Sequence, residues 1–181
     1  MTAVTTLPQG RPLTRADLAS TPDDGHRYEL IDGALIVTPS PSFAHQRVVM
    51  SLIRAMIDPP AELELLAAPF DIPLADDTVL QPDVVIIKRP EDAYDPGDPE
   101  LVQAIEVLSP STRLIDLNLK KTRLEQAGTA SYWVVDPLEP MLIAWELRDG
   151  GYLEVARVVG EEEWTSTTPF GVTICPAALA R

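Results

Sequence analysis

Cysteine is almost absent: Cys175 stands alone among 181 residues, so no disulfide can form within the chain. A lone thiol suits a reducing compartment. No run of about 18 apolar residues occurs, which excludes a membrane-spanning helix by the length a bilayer demands. The first dozen residues carry neither the basic start nor the apolar block of a secretory signal, so a cytoplasmic protein with no membrane partner is expected. Cations are scarce as well, 14 Lys and Arg against 28 Asp and Glu, for a net charge of −14. That balance argues against the broad basic surface with which many proteins grip nucleic acid. It leaves room for a local patch, because Arg113, Lys120, Lys121 and Arg123 fall within eleven residues. The same cluster could equally be the solvated face of one helix. No internal repeat and no obvious linker is present.

What is there is a globular composition, 45% hydrophobic over a length that fits one domain with a real core. Residues 1–12 lack periodicity and read as a flexible N-terminal arm, followed by a single domain over 13–181. Thr14 opens a short helix. Tyr28–Ile31 and Ala34–Val37 flank Asp32-Gly33, the residue pair that a two-residue hairpin turn favours. Apolar residues recur at helical spacing from Ser42 to Ile57, until Pro59-Pro60 stops the helix. Strands are expected at 62–67, 70–74, 84–87 and 101–108, with an exposed loop over 89–100. A helix over 115–127 and a strand over 131–135 follow, the 101–135 stretch reading as a right-handed crossover between parallel strands. Residues 141–147 and 152–158 pair across Asp149-Gly150-Gly151 as a β-ribbon. The class is α/β with a mixed sheet.

Two carboxylates interrupt apolar runs: Asp83 in Gln81-Pro82-Asp83, and Glu106 in Ile105-Glu106-Val107-Leu108. Burying an ionised carboxylate is costly without a partner. Two at strand ends point to a shared electropositive partner, most simply a divalent cation whose shell is completed by water and phosphate oxygens. The plainer alternative is two strand-end residues facing water. Side chains alternate along a strand, so Glu106 and Leu108 share a face. Many metal-dependent nucleases place a lysine at the position that Leu108 occupies here. The helix that follows offers a replacement, since Asp116 and Lys120 lie four residues apart on one helical face. Glu29, just before the hairpin turn, could approach the same region, though a strand glutamate is more often solvated or paired. His45 falls on the inward face of its helix, where a satisfied core-edge histidine is the commoner outcome. Tyr132 and Trp133 read as core and sheet surface, and Cys175 has no surroundings that would make it a nucleophile.

The elements Tyr28-Glu29-Leu30-Ile31-Asp32-Gly33, His45-Gln46, Gln81-Pro82-Asp83, Glu106-Val107-Leu108-Ser109-Pro110-Ser111-Thr112, Asp116 with Lys120, and Tyr132-Trp133-Val134-Val135-Asp136 occur together and in order. Their combination, over roughly residues 14–160, resembles the Uma-type putative restriction endonucleases of the PD-(D/E)XK superfamily. The resemblance implies a restriction-endonuclease-like core with flanking helices. It also implies a divalent metal between Asp83 and Glu106, and a lysine that has migrated from strand to helix at Lys120. Lys121 is the neighbouring alternative. The family often has Tyr at the position of Leu124, a departure that touches packing more than chemistry.

The expected function is therefore a metal-dependent endonuclease hydrolysing DNA phosphodiester bonds, using Mg²⁺ or Mn²⁺. Asp83, Glu106 and Lys120 would be catalytic, with Glu29, His45 and Lys121 as further candidates. Arg113 would hold a flanking phosphate of weakly bound DNA. The alternative is a nuclease-fold binding or assembly module without turnover. A metal enzyme acting on another substrate also fits the residues. The ribbon over 131–158 could build a homodimer.

Overall fold

Asp32 and Gly33 adopt positive φ, 54° and 74°, as a tight hairpin turn requires. Gly33 has a second constraint, because a Cβ there would lie 2.4 Å from the Pro12 Cβ. The backbone presses against the residues preceding the first helix, with Leu13 N–H donating to the Gly33 carbonyl at 2.9 Å. The computed structural model describes residue 8, residues 10–92 and residues 97–181, so most of the expected arm lies outside the described residues.

In chain order the elements are α1 (Arg15–Leu18), β1 (Arg27–Ile31), β2 (Ala34–Thr38), α2 (Phe43–Ala55), β3 (Leu63–Ala67), β4 (Ile72–Ala75), β5 (Thr78–Leu80), β6 (Val84–Lys88) and β7 (Leu101–Val107). A π-helical segment, Ile115–Lys120, then runs directly into α3 (Lys121–Gln126). β8 (Ser131–Asp136), β9 (Met141–Arg148), β10 (Gly151–Val159), β11 (Trp164–Thr165), β12 (Thr173–Ile174) and α4 (Pro176–Leu179) complete the fold.

The central sheet has the order β10-β9-β8-β7-β6-β3. Its one parallel pair is β7–β8, joined through the helical crossover, and the other pairs are antiparallel. A second sheet, β2-β1-β5-β4, contains the first hairpin. Both faces of the central sheet are covered. Val48, Val49 and Leu52 of α2, with Met56 just past its end, pack with Val84, Ile86, Ile105, Val107 and Trp133 on one face. Ile31 and Leu80 of the second sheet and Leu124 of α3 pack with Ala104, Leu108, Tyr132 and Val134 on the other. This double cover explains why β6 and β8 read as nearly continuous apolar runs.

Three expectations need correction. The helix over 115–127 is not uniform, since its first half is π-helical. β5 escaped the sequence reading: it is three residues long, and short apolar runs carry little periodicity. Trp133 does not lie at a sheet surface, because it is buried under α2 on one face while Tyr132 is buried on the other. Leu124, where the family often has Tyr, fills the second core and is fully buried.

Candidate active site

The register of β6 and β7 pairs Val84 with Ile105. One step further along, Asp83 comes opposite Glu106, and directly opposed residues of an antiparallel pair point to the same face. Asp83 Oδ2 accepts from the Val107 N–H at 2.8 Å, which pins this carboxylate to the end of β7. Glu106 lies between Ala104 and Leu108 on the face covered by the second sheet and the crossover helix. Both carboxylates are buried, Asp83 at 4% exposure and Glu106 at 1%.

Lys120 reaches this face from the crossover. Its ammonium lies 2.8 Å from Glu106 Oε1, 2.8 Å from Glu29 Oε1 and 3.5 Å from Asp116 Oδ1. Lys121 points elsewhere, its Nζ 5.3 Å from the Trp145 ring centroid and 5.9 Å from that of Tyr152. Adjacent lysines thus serve opposite surroundings. Asp116 is fixed from two sides. Thr112 Oγ1 donates to its Oδ2 at 2.8 Å, and the Tyr132 hydroxyl donates to its backbone carbonyl at 2.9 Å. Glu29 Oε1 also accepts from the Gln81 N–H at 2.7 Å, which ties the first hairpin to the segment leading into Asp83.

Two further groups approach Asp83. Arg27 Nη1 donates to Asp83 Oδ1 at 2.8 Å and to the Gln81 carbonyl at 3.2 Å. His45 Nε2 lies 3.1 Å from Asp83 Oδ2. The sequence favoured His45 as a core-edge residue. It is indeed buried, but its ring is aimed at Asp83 from the first turn of α2, where Ser42 caps the helix and accepts from the His45 N–H at 3.3 Å. Arg27 was missed altogether. Its partners lie 54 and 56 residues away, beyond any local pattern. Arg113 is paired with Asp136 rather than standing free at the cleft.

Electrostatics divide the carboxylates. Burial pushes Asp83 up, but the hydrogen bond and charge of His45, the Arg27 charge and the Val107 N–H outweigh it, leaving the group at about 2. Burial drives Glu106 well above the ordinary range, with Lys120 opposing and Asp116, Asp83 and Glu29 adding to the rise. Asp116 is raised for the same leading reason, against Lys120 and Thr112. Burial disfavours the Lys120 ammonium, yet Glu106, Glu29 and Asp116 together hold it firmly charged. Four buried carboxyl groups, Glu29, Asp83, Glu106 and Asp116, therefore share two permanent cations, Arg27 and Lys120, too few to keep Glu106 and Asp116 from being raised. Glu29 Oε2 and Asp116 Oδ1 are buried without a hydrogen-bond partner. This donor set fits a divalent cation in charge and in hard oxygen chemistry. Among the described residues no three His, Cys, Asp or Glu are placed to hold one metal ion together, so a cation here would take the rest of its shell from water and substrate.

Above the cluster opens a cleft of about 830 Å³. Arg27, His45 and Asp83 form part of its lining, together with Ser109–Thr112 from the loop after β7. Glu106 and Lys120 lie beneath.

A mixed sheet that brings two carboxylates to adjacent strand ends, with a lysine supplied by the crossover helix, is a restriction-endonuclease-like architecture. The chain belongs to the Uma2 family, described as putative restriction endonuclease, whose model matches residues 15–179. A solved structure of a putative nuclease belonging to DUF820 from Anabaena variabilis ATCC 29413 superposes with a TM-score of 0.71 at 16% identity, covering 94% of this chain and 100% of the other. At that identity the likeness is one of fold. No match was found among curated proteins. No helix among the described residues is long and apolar enough to cross a membrane.

Proposed function

We propose that this protein is a metal-dependent endonuclease that hydrolyses DNA phosphodiester bonds at the floor of the cleft. The observation that carries the reading is a cluster of four buried carboxyl groups served by only two permanent cations at the floor of an open cleft, in a fold shared with a putative nuclease. Asp83 and Glu106 would hold Mg²⁺ or Mn²⁺, which when bound supplies polarisation of the phosphate and a more acidic water. From its buried position Lys120 would hold Glu106 in place and supply positive charge toward the phosphorane oxygens. Glu29 and Asp116 keep that lysine charged and immobile. His45 and Arg27 hold Asp83 ionised and oriented.

The acidic chain makes DNA binding weak. Two to four phosphate contacts give a slope of log affinity against log salt of roughly −2 to −4. Calcium titration of a labelled duplex measures that slope, and Mg²⁺ or Mn²⁺ then tests cleavage at low ionic strength. Asp83→Ala is expected to abolish Mn²⁺ binding in calorimetry together with cleavage. Unchanged Mn²⁺ affinity in that variant would refute the metal assignment.

The burial of Glu106 and Lys120, each 1% exposed, favours a second reading, a binding module whose ion pairs are purely structural. Wild-type protein that shows no cleavage in either metal, with a salt slope near zero, would favour it.

A further inference from the structure

Lys120 and Arg27 neutralise the same carboxylate cluster from opposite sides, and they differ in what else they can touch. Lys120 is sealed, with three carboxylates within 3.5 Å of its ammonium. Arg27 lies on the open side. Its side chain is 19% exposed and forms part of the cleft lining. A guanidinium has five N–H donors in a fixed fork. Both hydrogen bonds that Arg27 makes leave from Nη1. Its Nε is buried without a partner, 3.6 Å from Glu29 Oε2, which is also buried and unpartnered. The side chain is anchored at one nitrogen and under-used at the others.

The other basic side chains lining the cleft are less suited to a ligand. Arg15 is bound to Asp98, and His26 to Asp24, both pairs on the exposed rim. His45 offers Nε2 to Asp83, and its Nδ1 is buried. Arg27 is therefore the permanent cation that adjoins the proposed reaction centre and the cleft at once.

We infer that Arg27 forms a phosphate-binding subsite beside Asp83, gripping a non-bridging oxygen of the phosphodiester that enters the cleft. A planar, always-charged fork suits phosphate better than the point charge of a lysine. Asp83 and the Gln81 carbonyl orient the fork, and closing the gap to Glu29 would lock it with its free edge toward the ligand. The role is one of substrate contact and positioning, and it rests on the nuclease reading above.

The test uses the full chain and a labelled DNA oligonucleotide, single-stranded and as a duplex, titrated in Ca²⁺ over a range of salt. Charge-assisted hydrogen bonds contribute about 1.5–3 kcal/mol, so Arg27→Ala should weaken binding roughly tenfold or more. It should also make the salt slope shallower by roughly 0.9 on duplex or 0.7 on single strand, one lost phosphate contact. A structural role would not move that slope. Arg27→Lys should retain the slope but bind several-fold more weakly. Equal affinity and slope in wild type and Arg27→Ala, with wild-type cleavage intact, would overturn this inference and leave the nuclease reading standing. Wild-type protein that neither binds nor cleaves would overturn both. Should Arg27→Ala fail to fold by circular dichroism, Arg27→Lys decides: unchanged affinity there refutes the forked contact.

Discussion

Replacing Lys120 with methionine keeps most of the side-chain volume and removes the charge. In the wild type, Glu29 and Glu106 each lie 2.8 Å from the ammonium, with Asp116 at 3.5 Å, and Lys120 is 1% exposed. With the cation gone, three buried carboxylates would face one another. Breaking a buried ion pair by deleting one partner costs about 3–5 kcal/mol. For a domain of this size that is a fall in Tm of roughly 6–20 °C. The loss should depend on pH in a definite direction. Burial already raises Glu106 and Asp116, and Lys120 opposes both rises. Without it both carboxyls rise further, so the folded variant binds protons more tightly than the unfolded chain. Such groups favour folding at low pH, and that stability is lost as pH rises through the raised folded values. Urea unfolding at pH 5 and pH 8 should therefore show the variant closer to wild type at pH 5. Lys120→Met combined with Glu106→Gln should recover part of the loss, because the two sites are in contact. Equal stability of Lys120→Met and wild type at pH 8 would refute the view that the lysine holds the cluster together.

Asp83 predicts the opposite limb. Its carboxyl is depressed to about 2 by His45, Arg27 and the Val107 N–H against the cost of burial. It therefore contributes stability that is present above the ordinary aspartate value and is lost as pH falls toward 2. In EDTA, that acid limb should be about 2 kcal/mol deep and should flatten in Asp83→Asn, as read by urea midpoints between pH 5 and pH 2. Lys121→Ala, which removes a cation from above Trp145 and Tyr152, should cost about 0.5–1 kcal/mol and leave cleavage unchanged. A loss of cleavage as large as that of Lys120→Met would reverse the assignment of the two lysines.

Much of the scaffold was legible because local chemistry dictates it. Asp32-Gly33 forms its hairpin, Pro59-Pro60 follows the end of α2, and the apolar runs at 84–87 and 131–135 are strands buried on both faces. Asp83 and Glu106 stood out because they break such runs. The surroundings of these carboxylates were less visible. Arg27 and Glu29 reach the site only through the pairing of β1 with β5, at Leu30 and Val79. Nothing within a short window encodes that pairing. The direction of His45 was similarly undecided. Helical spacing shows that it faces inward, but only the packing of α2 against the end of β6 shows that inward means toward Asp83. Tyr132 was legible as an apolar body and illegible as a hydroxyl donor, since its acceptor is a backbone carbonyl in the crossover.

The π-helical segment has a consequence for how insertions and deletions act on the crossover. A π-turn carries one residue more than the α-helical turn it replaces. Here it ends on the first of two consecutive lysines with incompatible destinations, one among carboxylates and one over aromatic rings. The extra residue sets the angular phase of everything after it, much as a spacer sets the timing of a gear. Shortening the segment by one residue would leave composition, charge and hydropathy almost untouched, yet rotate the downstream face by about a quarter of a turn or more. The ammonium would then leave the cluster while Leu124 left the core. In this chain the length of a helix, counted in single residues, is itself a component of the site.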